Sequence, residues 1–294
     1  MRGTYLITGG TGSLGTELVK KLLKIKYKKI IVFSRDEYKQ YLMKKELDSK
    51  DIRFFIGDIR DKERLHRALN GVDYVIHCAA LKHVSTGEYN PFEVVQTNII
   101  GAQNLIEASI DNNVKKVLAI STDKAVNPSN LYGAAKLCSD KMFIGGNVYD
   151  PKIQMAVVRF GNFTGSRGSV VEYFRQLKRE GVKEFPVTDL GMTRFFISLE
   201  DAAQKTLNIL DIMKGGEIFC PKMESKSIRR VAKDIETNAT LKIIGAREGE
   251  KLTEELILES DKAYEYEGFY IIFNTDKVYG EKLPYGFSYR SNGL

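Results

Sequence analysis

Residues 4–15, TYLITGGTGSLG, constrain this chain more than any other stretch. The short apolar run Thr4–Thr8 meets a turn with glycine at 9, 10, 12 and 15, after which Leu14, Leu18 and Leu22 recur at helical spacing. The pattern predicts strand, tight turn and helix as one continuous unit. Gly9 permits the turn, Gly12 lets a pyrophosphate approach the backbone, and Gly15 lets helix and strand pack closely. From Thr11 through Gly12, Ser13 and Leu14 to Gly15, the start of the helix offers free N–H groups and a positive dipole to phosphate. In this setting the glycine pattern predicts a dinucleotide site.

The rest of the first half repeats the unit. Apolar runs at Lys29–Phe33, Ile52–Ile56, Asp73–Cys78 and Val117–Ile120 alternate with helical stretches, including one from Pro91 to about Asn113. Met155–Phe160 and Glu217–Cys220 read as a sixth and a seventh strand. Strands alternating with helices predict an α/β fold, a doubly wound parallel sheet with right-handed crossovers. We expect residues 1–161 plus about 195–220 to form the cofactor-binding domain, and 162–194 plus 221–294 a smaller substrate domain. The second run ends in Ser34-Arg35-Asp36. An acidic residue at that tip suits the ribose hydroxyls of NAD, whereas arginine suits the 2′-phosphate of NADP. Arginine comes first here, so the expected cofactor is NADP, with Ser34 and Arg35 at its phosphate. Asp58, beside Ile59, is placed for the adenine amino group, and the small residues Ala79 and Ala80, ahead of Lys82, let backbone pass close to a cofactor.

A second stretch, STDKAVNPSNLYGAAK at 121–136, carries groups suited to chemistry. Tyr132 and Lys136 are four residues apart and share a helix face. An ammonium beside a phenol favours the phenolate. Lowering a tyrosine from about 10 to about 7 takes about 4 kcal/mol, which one charge about 4 Å away supplies at an effective dielectric of about 20. Thr122, Asp123 and Lys124 place a hydroxyl, a carboxylate and an amine at the fifth strand's end. The Asp–Lys pair reads either as acid and base or as a structural ion pair.

Composition narrows the function classes. The chain has 294 residues, 43% of them hydrophobic and 28% charged, as in a soluble globular protein. No window approaches the roughly 20 apolar residues of a membrane span, and the first apolar run is too short for a signal peptide. Cys78, Cys138 and Cys220 are scattered and odd in number, which points to reduced thiols and a cytoplasmic location. The net charge of +7 is spread among Asp and Glu without a long basic run, so we expect a small anionic partner, with no nucleic acid and no membrane. His66, His77 and His83 show no metal-ligand spacing. His77 reads as a core histidine. Tyr264, Tyr266, Phe269 and Tyr270 read as core or subunit packing.

Thr8-Gly9-x-x-Gly12-x-x-Gly15 with Thr122 and Tyr132-x-x-x-Lys136 resembles the extended branch of the short-chain dehydrogenase/reductase superfamily. Within it, residues 121–136 resemble the nucleotide-sugar 4,6-dehydratases, supported by Ala80–Val84, Gly161-Asn162, Gly165–Val170, Met192–Phe195 and Gly249–Leu252. Tyr132 where relatives carry Met, together with Asp123-Lys124, is similar to the small inverting class. Those lyases act on UDP-N-acetylglucosamine and open the pseudaminic acid pathway. Departures are Ser85 and Glu248 where the class usually has Pro, and a shortening before Phe287.

The resemblance implies a homo-oligomer that binds a UDP-sugar through Lys82, Asn162, Arg194, Arg247 and Glu250. It implies Tyr132 as base at the C4 hydroxyl, Lys136 lowering the phenol's pKa and holding the nicotinamide ribose, and Thr122 at the reacting oxygen. Lys124 is the expected base at C5 and Asp123 the acid at C6, and the two roles can be exchanged. Retention at C5, another nucleotide hexose, 4-epimerisation and a non-catalytic NADP sensor remain as rivals.

Overall fold

The computed structural model describes residues 2–25, 27–274 and 278–293. β1 (Thr4–Thr8) leads through the glycine turn into α1 (Ser13–Leu22). β2 (Lys29–Ser34), α2 (Glu37–Leu47), β3 (Ile52–Ile56), α3 (Lys62–Leu69) and β4 (Tyr74–His77) follow. β5 (Lys116–Thr122) and β6 (Gln154–Phe160) complete a parallel array in the order β3-β2-β1-β4-β5-β6. The chain order reverses between β1 and β4, which opens a crevice at the carboxyl ends of the strands.

The inner strands β1, β4, β5 and β6 are buried on both faces, as parallel strands with helices on either side must be, while the edge strand β3 is partly exposed. Alternation divides their side chains between two cores. Leu6, Val75, Val117 and Val157 pack with Leu65, Leu105 and Phe143. Ile7, Ile76, Leu118 and Val158 pack on the opposite face with Leu18 and Leu22 of α1 and Ala203 and Leu210 of the helix Leu199–Ile212. A third, smaller core gathers Phe174, Phe185, Val187 and Val231.

Three features differ from the sequence reading. Among the described residues the central sheet has ten strands, because Glu217–Pro221 pairs parallel to β6 and then antiparallel to Phe269–Phe273, followed by Ala263–Tyr266 and Glu281–Lys282. Residues assigned above to the substrate domain therefore extend the cofactor domain's sheet. Conversely, Thr193–Ser198 pairs with Asn162–Thr164 and Glu224–Ser227 in a separate three-stranded sheet. Third, the stretch after Pro91 is not one α-helix. It passes through a π-helical segment, Val95–Ile100, before resuming at Gly101–Asp111. The buried Asn98 accepts from Leu81 N (2.8 Å) and donates to Leu81 O (2.9 Å), a tertiary bond pair that accompanies the widened turn. Among the described residues, no helix is long and apolar enough to cross a membrane.

His77 sits at the end of β4 with Nδ1 2.7 Å from Thr8 Oγ1, itself an acceptor from Ala79 N. Burial pushes its imidazole down from 6.5 to about 3, assisted by Lys136. The folded protein therefore excludes a proton that the unfolded chain accepts. Stability from this residue is complete above pH about 6.5 and declines by about 1.4 kcal/mol per pH unit below it. Urea unfolding between pH 7.5 and 5 should show this decline, with a shallower slope in His77→Asn. Equal slopes would contradict the account.

Candidate active site

The glycine turn is built as its residue types require. Gly9 has φ +62°, and a Cβ there would lie 2.9 Å from the Ala79 backbone after β4. A Cβ on Gly15 would lie 2.6 Å from Gly9 O, so the close approach of α1 to the turn needs glycine at both ends. No side chain caps α1 at Gly12, which leaves its first N–H groups facing a cleft of about 510 Å³. This cradle fits a dinucleotide. The cleft's walls include Gly9, Thr11, Gly12, Ser13, Leu14, Gly15, Ser34, Arg35, Asp58, Ile59, Ala79, Ala80 and Lys82.

At the β2 end of the cleft, Arg35 is 53% exposed and 3.7 Å from Asp58. Asp36 is committed elsewhere. Its carboxylate caps α2 by accepting from Lys39 N and pairs with Lys39 Nζ, and these bonds hold its pKa below the ordinary range. Asp58 receives Arg60 at both oxygens, from the backbone N (3.0 Å) and from Nε (2.9 Å). Burial works against its ionisation, but the Arg60 bonds prevail and its pKa is lowered.

A second cleft of about 560 Å³ adjoins the first, with Lys82 and His83 in the walls of both. Lys124, Asn162, Arg194, Arg247, Glu250 and Glu254 line it. β5 ends at Thr122 and a single 3₁₀ turn, Asp123–Ala125, follows. The turn sets Lys124 Nζ 2.9 Å from Asp123 Oδ1, 3.4 Å from Asn162 Oδ1 and 3.6 Å from Glu254 Oε1. Asp123 is fully buried. Thr122 donates to its Oδ1 (3.0 Å), and its Oδ2 has no hydrogen-bond partner among the described residues. Asp123 stands behind Lys124, outside the walls of both clefts, with that oxygen free to take a proton.

The helix Leu131–Gly146 carries Tyr132 and Lys136. Asn130 caps it, accepting from Gly133 N at 2.9 Å, and Glu88 accepts from Leu131 N at 2.7 Å. The helix lies so close to the 3₁₀ turn that a Cβ on Gly133 would overlap the Lys124 carbonyl oxygen. Burial pushes the Tyr132 phenol up to about 12, and Lys124 and a hydrogen bond with Thr122 oppose it. Lys136 lies one turn further along the same helix. Its buried ammonium donates to Ile120 O at 2.8 Å, and burial lowers its pKa against the pull of Asp140 and Cys78. Neither Tyr132 nor Lys136 belongs to the walls of the two clefts.

Lys124 starts from its charged form. Burial presses its pKa down, but Asp123 and Glu254 outweigh burial and Arg194, and the pKa is raised. The resting lysine is thus an ammonium, which must lose a proton before acting as base. Arg194 offers no free fork to a diphosphate. It is buried and donates to three backbone carbonyls, those of Thr193 (2.7 Å), Leu252 (3.0 Å) and Lys251 (2.8 Å). Arg247 remains exposed.

Two residues escaped the sequence reading. Glu254 carries no motif of its own and reaches Lys124 only through folding. Arg167, from the loop after Asn162–Thr164, donates to Thr11 O (2.8 Å), and its carbonyl accepts from Lys82 Nζ (2.8 Å), so it bonds to two residues of the first cleft's wall.

Comparisons with known proteins agree with this geometry. A family model described as "Polysaccharide biosynthesis protein" matches residues 5–274. The UDP-N-acetylglucosamine 4,6-dehydratase (inverting) of Campylobacter jejuni subsp. jejuni serotype O:23/36 (strain 81-176) is 49% identical, over 98% of this chain and 92% of that protein. The UDP-glucose 4-epimerase of Rickettsia prowazekii (strain Madrid E) is 39% identical, over 92% and 82%. The X-ray structure of Pen from Bacillus thuringiensis superposes with a TM-score of 0.92 at 39% identity, covering 99% of this chain and 94% of that one.

Gly133→Ala should separate the helix from the 3₁₀ turn. We expect a thermal midpoint several degrees lower, for a loss of about 1–3 kcal/mol, and a raised phenol pKa by spectrophotometric titration as Lys124 recedes. An unchanged midpoint and phenol titration would show that the contact is not needed.

Proposed function

This chain belongs to the polysaccharide biosynthesis protein family, and from that premise we propose that it is an NADP-dependent UDP-N-acetylglucosamine 4,6-dehydratase that inverts C5. The observation that carries the reading is the Asp123–Lys124 pair, lining or adjoining the second cleft one turn after β5 and beside Tyr132. A 4-epimerase needs a base at one hydroxyl. It has no use for a second acid–base pair, so the pair favours dehydration over the epimerase reading that the Rickettsia relative raises.

A nicotinamide held in the first cleft would supply reversible hydride-acceptor chemistry, which a dehydration with no net redox change requires. Residues of the glycine turn hold its pyrophosphate. NADP over NAD is supported by the exposed Arg35 and by Asp36, whose carboxylate is already taken by the α2 cap. Tyr132 accepts the C4 hydroxyl proton, helped against burial by Lys124 and Thr122. Lys136 acts from below through its bond to the end of β5.

The ketone at C4 makes the C5 proton acidic. In the resting pair, one proton must first pass from Lys124 Nζ to Asp123 along their 2.9 Å bond. Sugar entering the cleft displaces water and favours this neutral form, since burial already works against the ammonium. Lys124 then takes the C5 proton, the C5–H electron pair forms the C5=C6 bond, and the C6 hydroxyl leaves as water with the proton of Asp123. Water would deliver the new proton to C5 on the face opposite Lys124, which inverts it, while the proton held by Tyr132 returns to solvent and Lys124 and Asp123 regain their resting charges. Asn162, Arg247, Glu250 and Lys82 line the cleft that would receive the nucleotide sugar, with Arg247 the exposed guanidinium for the diphosphate.

Incubation with UDP-N-acetylglucosamine in heavy water, with NADP and NAD in parallel, tests the proposal by NMR. We expect a 4-keto-6-deoxy-L-arabino product carrying deuterium at C5, formed faster with NADP. Unchanged C5 configuration would defeat inversion. A C4 epimer without loss of water would defeat dehydration.

A further inference from the structure

Glu254 has no part in the steps above, yet it is 2% exposed and lines the sugar cleft. Ionising a carboxylate so deep costs several kcal/mol unless cations accompany it. Its Oε1 lies 3.6 Å from Lys124 Nζ and 4.0 Å from Arg194 Nε, and its Oε2 lies 2.9 Å from Lys251 Nζ. Lys251 stands off the hydrogen-bonding direction, so Oε2 is left without a hydrogen bond among the described residues. The main chain of Glu254 is pinned on both sides by one residue: its N–H donates to Ser291 Oγ (2.9 Å), and its carbonyl accepts from Ser291 N (2.8 Å). Lys251 in turn donates to Val126 O (2.9 Å), just beyond the Lys124 turn. The segment is thus fixed to the turn that carries the acid–base pair, with a carboxylate aimed at its ammonium.

We propose that Glu254 is a positioning residue that holds Lys124 Nζ in the sugar cleft and sets the pH at which Lys124 releases its proton. The inference rests on the reading of Lys124 as a proton-transfer group. The groups that face Lys124 are Asp123 on its own turn, Tyr132 on the following helix, Asn162, Arg194 and Glu254. The other charged or titratable residues of the cleft wall are Lys82, His83, Glu88, Arg247, Glu248 and Glu250. Asp123 and Glu254 are the two that stabilise the ammonium, in that order, while burial and Arg194 oppose it. With Asp123 alone the lysine yields its proton more readily. With both carboxylates it stays charged until sugar fills the cleft, so the base is not spent on an empty site.

Lysine isotope-labelled at Cε reports the ionisation of Lys124 by NMR, the signal being assigned by its loss in Lys124→Met. Glu254→Gln should lower the Lys124 pKa by about one unit or more, a tenfold rise in its acid dissociation constant. The matching limb of the kcat/KM profile for dehydration should move to lower pH by the same amount. Glu254→Asp, which keeps the charge on a shorter arm, should restore most of that limb while kcat stays reduced. An unchanged Lys124 titration in folded Glu254→Gln would overturn the proposal. If that variant does not fold, Ser291→Ala, which frees the Glu254 N–H and alters no charge, should shift the titration in the same direction by less, and no shift there would overturn it equally. Wild-type protein that fails to dehydrate the sugar would defeat the functional reading and leave the NMR titration to decide this one.

Discussion

Charges buried at the end of the fifth strand govern the rest of the structure. Asp123 and Glu254 are almost without solvent contact, and Lys124, Lys251 and Arg194 surround them at 2.9–4.0 Å. Each ion alone would cost several kcal/mol in such a place, and removing one from a buried pair leaves its partner uncompensated by about 3–5 kcal/mol. The cluster is tolerable only as a set. Its members come from three separate parts of the chain, so the three-stranded sheet, the 247–254 segment and the C-terminal strand Tyr289–Arg290 must all dock before it closes. Arg194 shows the logic most plainly. Instead of offering its fork to a ligand, it ties down the carbonyls of Lys251 and Leu252, the residues that lead to Glu254.

A division of labour follows from this placement. The doubly wound sheet supplies the phosphate-binding turn, at the crevice where strand order reverses, and the second cleft opens beside it with Lys82 and His83 common to both. Tyr132 is coupled to the cluster because Gly133 lets its helix rest on the Lys124 carbonyl. Tyr132 and the Asp123–Lys124 pair therefore share one electrostatic environment. The Lys124 ammonium both favours ionisation of Tyr132 and pairs with Asp123, so in the proposed reaction the two stages are linked through a single cation.

Much of this was legible from residue order, for local reasons. β1, its glycine turn and α1 are one continuous segment whose periodicity and glycine spacing have few other outcomes. The six parallel strands announced themselves as short apolar runs between helices. The second cleft's Asn162, Arg247 and Glu250 came from resemblance, and the structure gathers them around Lys124. What was not legible depends on distance along the chain. Lys124 and Glu254 are brought together by tertiary docking, and no spacing encodes it. The π-helical turn at Val95–Ile100 accompanies a bond pair to Leu81, and the antiparallel strands that extend the sheet depend on the edge left by Glu217–Pro221. Tyr132 and Lys136 do share a helix, but residue order does not reveal that the ammonium donates to Ile120 O or that Lys124 also acts on the phenol.

The central claim is that the Asp123–Lys124 pair converts an oxidation into a dehydration. Rapid mixing of Lys124→Ala, loaded with NADP, with UDP-N-acetylglucosamine tests it most directly, by following the near-ultraviolet absorbance of reduced nicotinamide. The account predicts that the absorbance rises and persists, with the sugar held at the 4-ketone and no 4-keto-6-deoxy product released. Release of that product at the wild-type rate would contradict it.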